Sequence, residues 1–419
     1  MSRIYFLKMA ILFFGFLLSG VSNALTLASP AFAGGGVIPN NFGFNQGGCS
    51  GGNQSPPLVF GDVPDGVQSF ALVVRDLDGG NWLHWKVWNV AATVDVFPQN
   101  YSATMDFPQS ANQYGSHGWG GPCPPSGSHR YVFTLYALGV PSFSAEPSEG
   151  QLAAAALQTA TLMGYRAPTD NVSWVSSAVI QNGWWWNPNE GGRGYSIERN
   201  AGTGNVFLAT YLYAQSGAAM WYSSGMASSS SGLYSGELYE YSNGQSLLGS
   251  YRVPVATRYG QGVRLEVVQE DRALLTIMGD ATHPGMAVAI RRFEFEPGSL
   301  NAGAASGAPQ TGWWWSSIES GRGYFIEVQR NLAFIATYMY RADGLPVWYS
   351  TYNSLLGDNN AYQGGLLLYG DGQAIGRGYA APRVQNGNVG VIQLNFSNST
   401  TGTLTLPNGT QIPISRFNF

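Results

Sequence analysis

Two stretches, GWWWNPNEGGRGYSIE at 183–198 and GWWWSSIESGRGYFIE at 312–327, write one pattern twice in a single chain. The register runs on beyond them. FLATYLY at 207–213 is matched by FIATYMY at 334–340, and MWYS from Met220 by VWYS from Val347. YSGELYEYSNGQ from Tyr234 is matched by YQGGLLLYGDGQ from Tyr362, and IRRFEF ending at Phe295 by ISRFNF ending at Phe419. Residues 183–295 and 312–419 are therefore two tandem units, with a small-residue linker at 296–311. Within each unit apolar residues alternate with period two, as in GYSIE and VRLEVV. Turns such as Ser242-Asn243-Gly244 and Gly370-Asp371-Gly372 separate the runs. Counting such runs predicts about eight antiparallel strands per unit. A meander of that size protects its edges by closing or stacking, so each unit is expected to be a small barrel or sandwich.

Three consecutive Trp in a strand cannot all face one side. At least one of Trp184, Trp185 and Trp186, and one of Trp313, Trp314 and Trp315, must leave the core face or be covered by a neighbour. Aromatics are chiefly core material, which makes the triplets core residues first. Exposed Trp and Tyr can also stack on sugar rings, which would make the units polysaccharide or cell-envelope binders. Arg193 with Glu198, and Arg322 with Glu327, recur at one spacing and are expected as structural ion pairs within each copy.

Only 11% of the 419 residues are charged, while 14% are aromatic and 56 are Gly. Disorder needs the opposite balance, and helical bundles need more Ala, Glu, Lys and Leu. The formal net charge is -4 and no basic cluster occurs, so nucleic acid is not an expected partner. The N-terminus begins with Arg3 and Lys8, runs apolar over 9–18 and reaches Ser22-Asn23-Ala24 through small residues. That is the pattern of a signal peptide over 1–24, too short for a span of roughly 20 apolar residues. An exported protein is expected, periplasmic or extracellular. Cys49 and Cys123 are the only cysteines, so they form one bridge, which export favours, or remain two buried thiols.

Residues 25–167 hold polar groups that are costly to place without a purpose. Asp76 and Asp78 follow the apolar run SFALVV, and period two would send both carboxylates to one side. His84 lies inside the aromatic WLHWKVWNV, and His129 and Tyr131 follow the Gly/Pro loop GWGGPCPPSGS. Consecutive glycine amides can form an anion nest, and His and Tyr can donate to phosphate oxygens. Any one of these groups taken alone reads as structural, with Asp76 capping a turn and His84 a buried neutral imidazole. One Asp and two His could also hold zinc or iron, but no HExxH or CxxC spacing supports a metal, and no cofactor is expected. Gly48-Cys49-Ser50-Gly51-Gly52 fits G-x-S-x-G in a Gly-rich loop, without the strand and helix that a nucleophile elbow needs.

The order and spacing of SPPL, D-x-D, W-x-H-W and GPCPPSGSHRY resemble the phosphatidylethanolamine-binding protein family, closest to its bacterial Raf kinase inhibitor-like branch. The resemblance implies a domain of two antiparallel sheets with a C-terminal helix, which the Ala- and Leu-rich 150–165 would supply. It implies a ligand pocket at Asp76, Asp78, His84, Gly120, Gly121, Pro122, His129 and Tyr131, and it supports the Cys49–Cys123 bridge. Arg130 matches a family Arg whose role stays open. The family's D-P-D-x-P has lost its prolines here, giving Asp76-Leu77-Asp78-Gly79-Gly80, so this loop lacks their stiffening.

The expected protein is thus mainly β: a domain of this type followed by two Trp-rich units. Its expected function is non-catalytic binding of a phosphate-bearing or other small anionic ligand, such as a phospholipid headgroup. The alternatives are an envelope or polysaccharide adhesin acting through the repeats, and a hydrolase using the Asp/His pocket.

Overall fold

The computed structural model describes residues 24–419 except 175–177, 231, 352–353 and 358–360. The expected signal peptide lies, up to residue 23, outside the described residues. Strands dominate, and they build one two-sheet domain and two barrels.

In the first domain, Trp82–Ala91, Ser69–Asp76, His129–Leu138 and Ala156–Arg166 form a four-stranded antiparallel sheet in that spatial order. A smaller sheet of Thr26–Ala28, Leu58–Gly61 and Val96–Phe97 faces it. The run SFALVV is apolar at every position after its Ser because both of its faces are covered. Phe70, Leu72 and Val74 join Trp85, Phe133, Phe60 and Phe97 between the sheets, while Ala71 and Val73 pack against Leu152 of a helix. That helix is shorter than expected. It covers Glu149–Ala155, started by a capping box of Ser148 and Gln151, and Ala156–Arg166 is a strand. Only the Ala-rich half of the segment keeps its helical preference. The rest carries Thr159 and Thr161 and pairs with His129–Leu138, which supplies its backbone hydrogen bonds and overrides local propensity.

The eight strands Gly183–Trp186, Gly194–Arg199, Val206–Tyr213, Ala219–Ser230, Leu233–Ser242, Val255–Gln269, Arg272–Met278 and Met286–Arg292 close into an antiparallel barrel. The second unit closes through Gly312–Ser316, Glu319–Gln329, Leu332–Tyr340, Pro346–Ser350, Ala361–Gly370, Arg383–Asn398, Thr401–Thr405 and Gln411–Arg416. Closure removes the sheet edges that an open meander would expose. The intervening 296–311 is not a free tether. The Ser299 hydroxyl is buried and donates to Gln329, and Ala304 bridges Arg330 on the second barrel.

The Trp triplets divide their faces as period two requires. Trp185 and Trp314, each 1% exposed, fill their own barrels. The flanking Trp184 and Trp313 point outward into a seam between the barrels. There Trp184 meets Phe325 at 4.8 Å, and Trp313 meets Phe207 at 4.9 Å, between ring centroids. Trp186 and Trp315 share that outward side and are partly buried.

The ion pairs are not the expected ones. Glu327 of the second barrel pairs with Arg292 of the first, and Glu198 of the first pairs with Arg416 of the second. Arg193 and Arg322 turn instead to Glu190 and Glu319, three residues away. The exchange is reciprocal down to the backbone. The Trp184 N–H donates to Glu327 Oε2 at 2.6 Å, and the Trp313 N–H donates to Glu198 Oε2 at 2.8 Å. The Trp221 indole donates to the Met339 carbonyl and the Trp348 indole to the Leu212 carbonyl, both at 3.0 Å. Gly183 and Gly312, with φ of 133° and 138°, open each motif because a Cβ there would strike the other barrel's carboxylate. Local spacing suggested pairs within a copy, but Glu198 and Glu327 each face across the seam, toward the guanidinium of the other copy.

The first barrel also seats the N-terminal domain. Val268, Leu274 and Ala289 join that domain's core, and the Ala289 N–H and the Asn187 side chain both donate to the Thr93 carbonyl.

Two stability outcomes follow from these contacts. Glu327→Ala leaves Arg292 buried without its carboxylate and should cost about 3–5 kcal/mol, read from the urea midpoint of the full chain. An unchanged midpoint would show that the exchanged pairs do not hold the barrels together. The Cys49–Cys123 bridge closes a separation of 74 residues, so reduction should lower stability by up to about 4 kcal/mol on the chain-entropy account. Equal melting of oxidised and reduced protein would refute that.

Candidate functional site

The central strand Ser69–Asp76 ends where three elements meet. Asp76 is directly opposite Tyr131 on one side and Trp82 on the other. Its buried carboxylate has two tasks. Oδ1 accepts the N–H groups of Asp78 and Gly79 at 2.9 and 2.8 Å, which turns the chain, and Oδ2 accepts from His129 Nδ1 at 2.7 Å. The turn-capping reading of Asp76 therefore holds, and the same carboxylate also orients His129.

Asp78 does not share the site. The strand stops at Asp76, so period two no longer applies, and Asp78 lies exposed outside. It accepts from the Arg130 backbone N–H at 2.8 Å and from the Arg130 guanidinium at 2.7 and 3.0 Å. These bonds pull its carboxyl down to about 2. Arg130 thus clamps the 76–80 turn through Asp78.

His84 is the extra residue of a β-bulge, since Val74 pairs with Trp85 and Arg75 with Leu83. The bulge turns its side chain in beside Tyr131, with ring centroids 5.2 Å apart. Burial pushes its pKa down to about 4, so the ring is neutral near pH 7. Nδ1 lies 2.6 Å from the Gly120 carbonyl oxygen, which can only accept. The proton is therefore on Nδ1, and Nε2 presents a lone pair. The expectation that both histidines donate to an anion is corrected for His84.

The expected glycine nest is corrected as well. The Gly120 N–H donates to the His84 carbonyl at 2.9 Å, and the Gly121 N–H donates to Asn53 Oδ1 at 2.8 Å. The Pro122 carbonyl accepts from Phe44 at 3.0 Å. Gly120, Gly121 and Pro122 are a clamp between loops rather than a cradle of open N–H groups. Glycine is required for close packing: a Cβ on Gly121 would lie 2.3 Å from the Phe42 carbonyl oxygen. The Cys49–Cys123 disulfide fastens the same two loops, with a Cα separation of 5.9 Å.

Tyr131 is fully buried, and its phenol is kept un-ionised by burial and by the nearby Asp76 charge. Its hydroxyl lies beside the Asp76 carboxylate, and the buried Trp82 indole N–H has no hydrogen-bond partner among the described residues. Tyr114 is a wall the sequence reading passed over. Its ring stacks on Phe44 at 3.9 Å and meets His84 edge-on at 5.8 Å, and its hydroxyl donates to the Gly121 carbonyl at 3.2 Å. Burial and the Asp76 charge push its pKa up to about 12. No motif marked it, because NQYGSHGW reads as an ordinary loop. Ser50 of the G-x-S-x-G match lies in irregular chain, away from any strand-to-helix turn.

The site thus offers a buried carboxylate orienting His129, a neutral imidazole acceptor at His84, and a buried donor on Trp82. His84 makes stability pH-dependent. Its folded pKa lies below the unfolded value, so the unfolded chain binds the proton more readily. Stability should fall as pH drops from 6.5 toward about 4, by about 3 kcal/mol in all. His84→Asn, which keeps a donor for Gly120, should remove that part of the slope in urea titrations at pH 7 and 5. An unchanged slope would place the titration elsewhere.

Residues 28–166 match the family model described as phosphatidylethanolamine-binding protein. A UPF0098 protein of Chlamydia pneumoniae is 42% identical over 123 residues, 28% of this chain and 77% of that protein. The UPF0098 protein YbcL of Escherichia coli is 41% identical over 106 residues, 23% of this chain and 58% of that one. The crystal structure of Escherichia coli YbcL, described as a member of the mammalian family, aligns with a TM-score of 0.32 and 30% identity. It covers 35% of this chain and 99% of that one. Through residues 28–166, this chain belongs to the phosphatidylethanolamine-binding protein family.

Proposed function

We propose that the pocket around Asp76, His84, His129 and Tyr131 binds a small ligand with a phosphate or similar anionic head, without turning it over. The observation that carries this reading is the Asp76–His129 bond at 2.7 Å. It fixes which ring nitrogen faces the carboxylate and leaves Nε2 of His129 for a ligand. The Trp82 indole N–H, without a hydrogen-bond partner among the described residues, adds a donor beside Asp76. The Nε2 lone pair of His84 favours a head that keeps one O–H, such as a singly protonated phosphate monoester. A phospholipid headgroup and free phosphoethanolamine share this chemistry.

Binding rather than hydrolysis is favoured by the engagement of Asp76. Oδ1 already accepts two N–H groups and Oδ2 accepts from His129, so neither oxygen is poised to take a proton from water. The disulfide and the N-terminal sequence pattern support an exported protein, periplasmic or extracellular.

Calorimetric titration of the full chain with phosphoethanolamine tests the reading. Saturable binding is expected, with folded His129→Ala weakening it by about tenfold or more. His84→Asn should weaken it too, since amide nitrogen cannot replace the Nε2 lone pair. Binding indifferent to both substitutions would end the pocket reading. Phosphoethanolamine turned over on incubation would restore the hydrolase.

A further inference from the structure

The seam between the barrels holds two cavities built from matching positions of the repeat. One, of about 450 Å³, is walled by Trp184, Trp186, Phe293, Phe334, Trp348 and Tyr369. The other, of about 190 Å³, is walled by their counterparts Trp313, Trp315, Phe417, Phe207, Trp221 and Tyr241. Neither is near the Asp76 pocket, which lies in another domain. The first reaches the size of a small-molecule site, and the second falls short of it.

The walls of the larger cavity define what fits. Trp348 and Tyr369 stack with centroids 5.6 Å apart and planes at 22°, and both line the cavity. Trp186, held edge-on by Phe293 at 5.0 Å, stands only partly buried. The charged residue in the lining, Arg193, is neutralised by Glu190, and both side chains are almost fully buried. An ionic ligand therefore finds no net counter-charge. Ser350 places a hydroxyl-bearing side chain in the same lining, while the Thr351 hydroxyl is bonded to the Ile335 backbone. Aromatic side chains, neutrality and a hydroxyl together suit a ring that has an apolar C–H face and a polar edge.

We propose that this seam cavity binds a pyranose ring of a neutral glycan. The ring lays its axial C–H face on the aromatic wall, turns some hydroxyls toward Ser350 and keeps others in water beyond Trp186. A fused aromatic ligand would suit the walls but would leave the hydroxyl edge unused. The site needs both repeats, because Trp184, Trp186 and Phe293 come from the first and Phe334, Trp348 and Tyr369 from the second.

The full chain is titrated with cellohexaose and with chitohexaose, following tryptophan fluorescence and heat. Saturable binding of at least one is expected. Trp186→Ala should weaken it by about tenfold or more, whereas Trp315→Ala, at the smaller cavity, should leave it within about twofold. If Trp186→Ala fails to fold, Ser350→Ala reads the same site and should also weaken binding. Absence of saturable binding by both sugars overturns the proposal. So does an affinity unchanged in folded Trp186→Ala or in Ser350→Ala. Binding of 1-naphthol that neither sugar displaces, with no sugar binding of its own, would reassign the cavity to aromatic ligands.

Discussion

Each barrel buries a carboxylate whose guanidinium partner belongs to the other barrel. Glu327 with Arg292, and Glu198 with Arg416, are almost completely withdrawn from water. A buried charge left without its counter-charge is strongly destabilising, so neither barrel's seam face is stable when bared to an apolar neighbour. The repeat motif follows from that one constraint. Its glycine makes room for the foreign carboxylate, its first Trp supplies the N–H that the carboxylate accepts, and its terminal Arg-Phe brings the guanidinium and a ring. What reads as a motif of one unit is the description of a joint between two.

A joint made from one patch used twice resembles the isologous contact of a symmetric dimer, here enclosed in one chain. Being covalent, the two halves are free to diverge. Ser196 in the first copy aligns with Phe325 in the second. The Tyr338 hydroxyl therefore finds Ser196 Oγ at 2.6 Å, while the equivalent hydroxyl on Tyr211 has no hydrogen-bond partner among the described residues. The two cavities differ in the same way. Symmetry is broken again from outside, because the N-terminal domain packs on the first barrel. At that contact Asp95 is partly buried, and its desolvation raises its pKa against the pull of Arg272 and Arg291.

The Asp76 site shows the same economy on a smaller scale. Asp76 turns the chain with one oxygen and holds His129 with the other, so the architecture of the turn and the aim of the imidazole are one arrangement. The Gly/Pro loop serves structure in a similar way. Its amides are spent on His84 and Asn53, which fixes the wall against which the neutral His84 ring is set.

Period-two alternation and turn chemistry are local properties, and they made the strand-rich units and the tandem register legible in the sequence, while the two-sheet domain came only with the family resemblance. The separated motifs around Asp76, His84 and His129 did the same for the family, and the two cysteines for the bridge. Tertiary structure decided the rest, because the physics there is not local. Ala156–Arg166 became a strand because a neighbouring strand offered it hydrogen bonds. A one-residue bulge set the direction of His84, and the end of a strand removed Asp78 from the site. The partners of Glu198 and Glu327 lie 218 and 35 residues away, across a seam that spacing within a copy cannot foresee. A carboxylate takes the guanidinium that folding brings nearest once water is excluded, and only the packed chain determines which one that is.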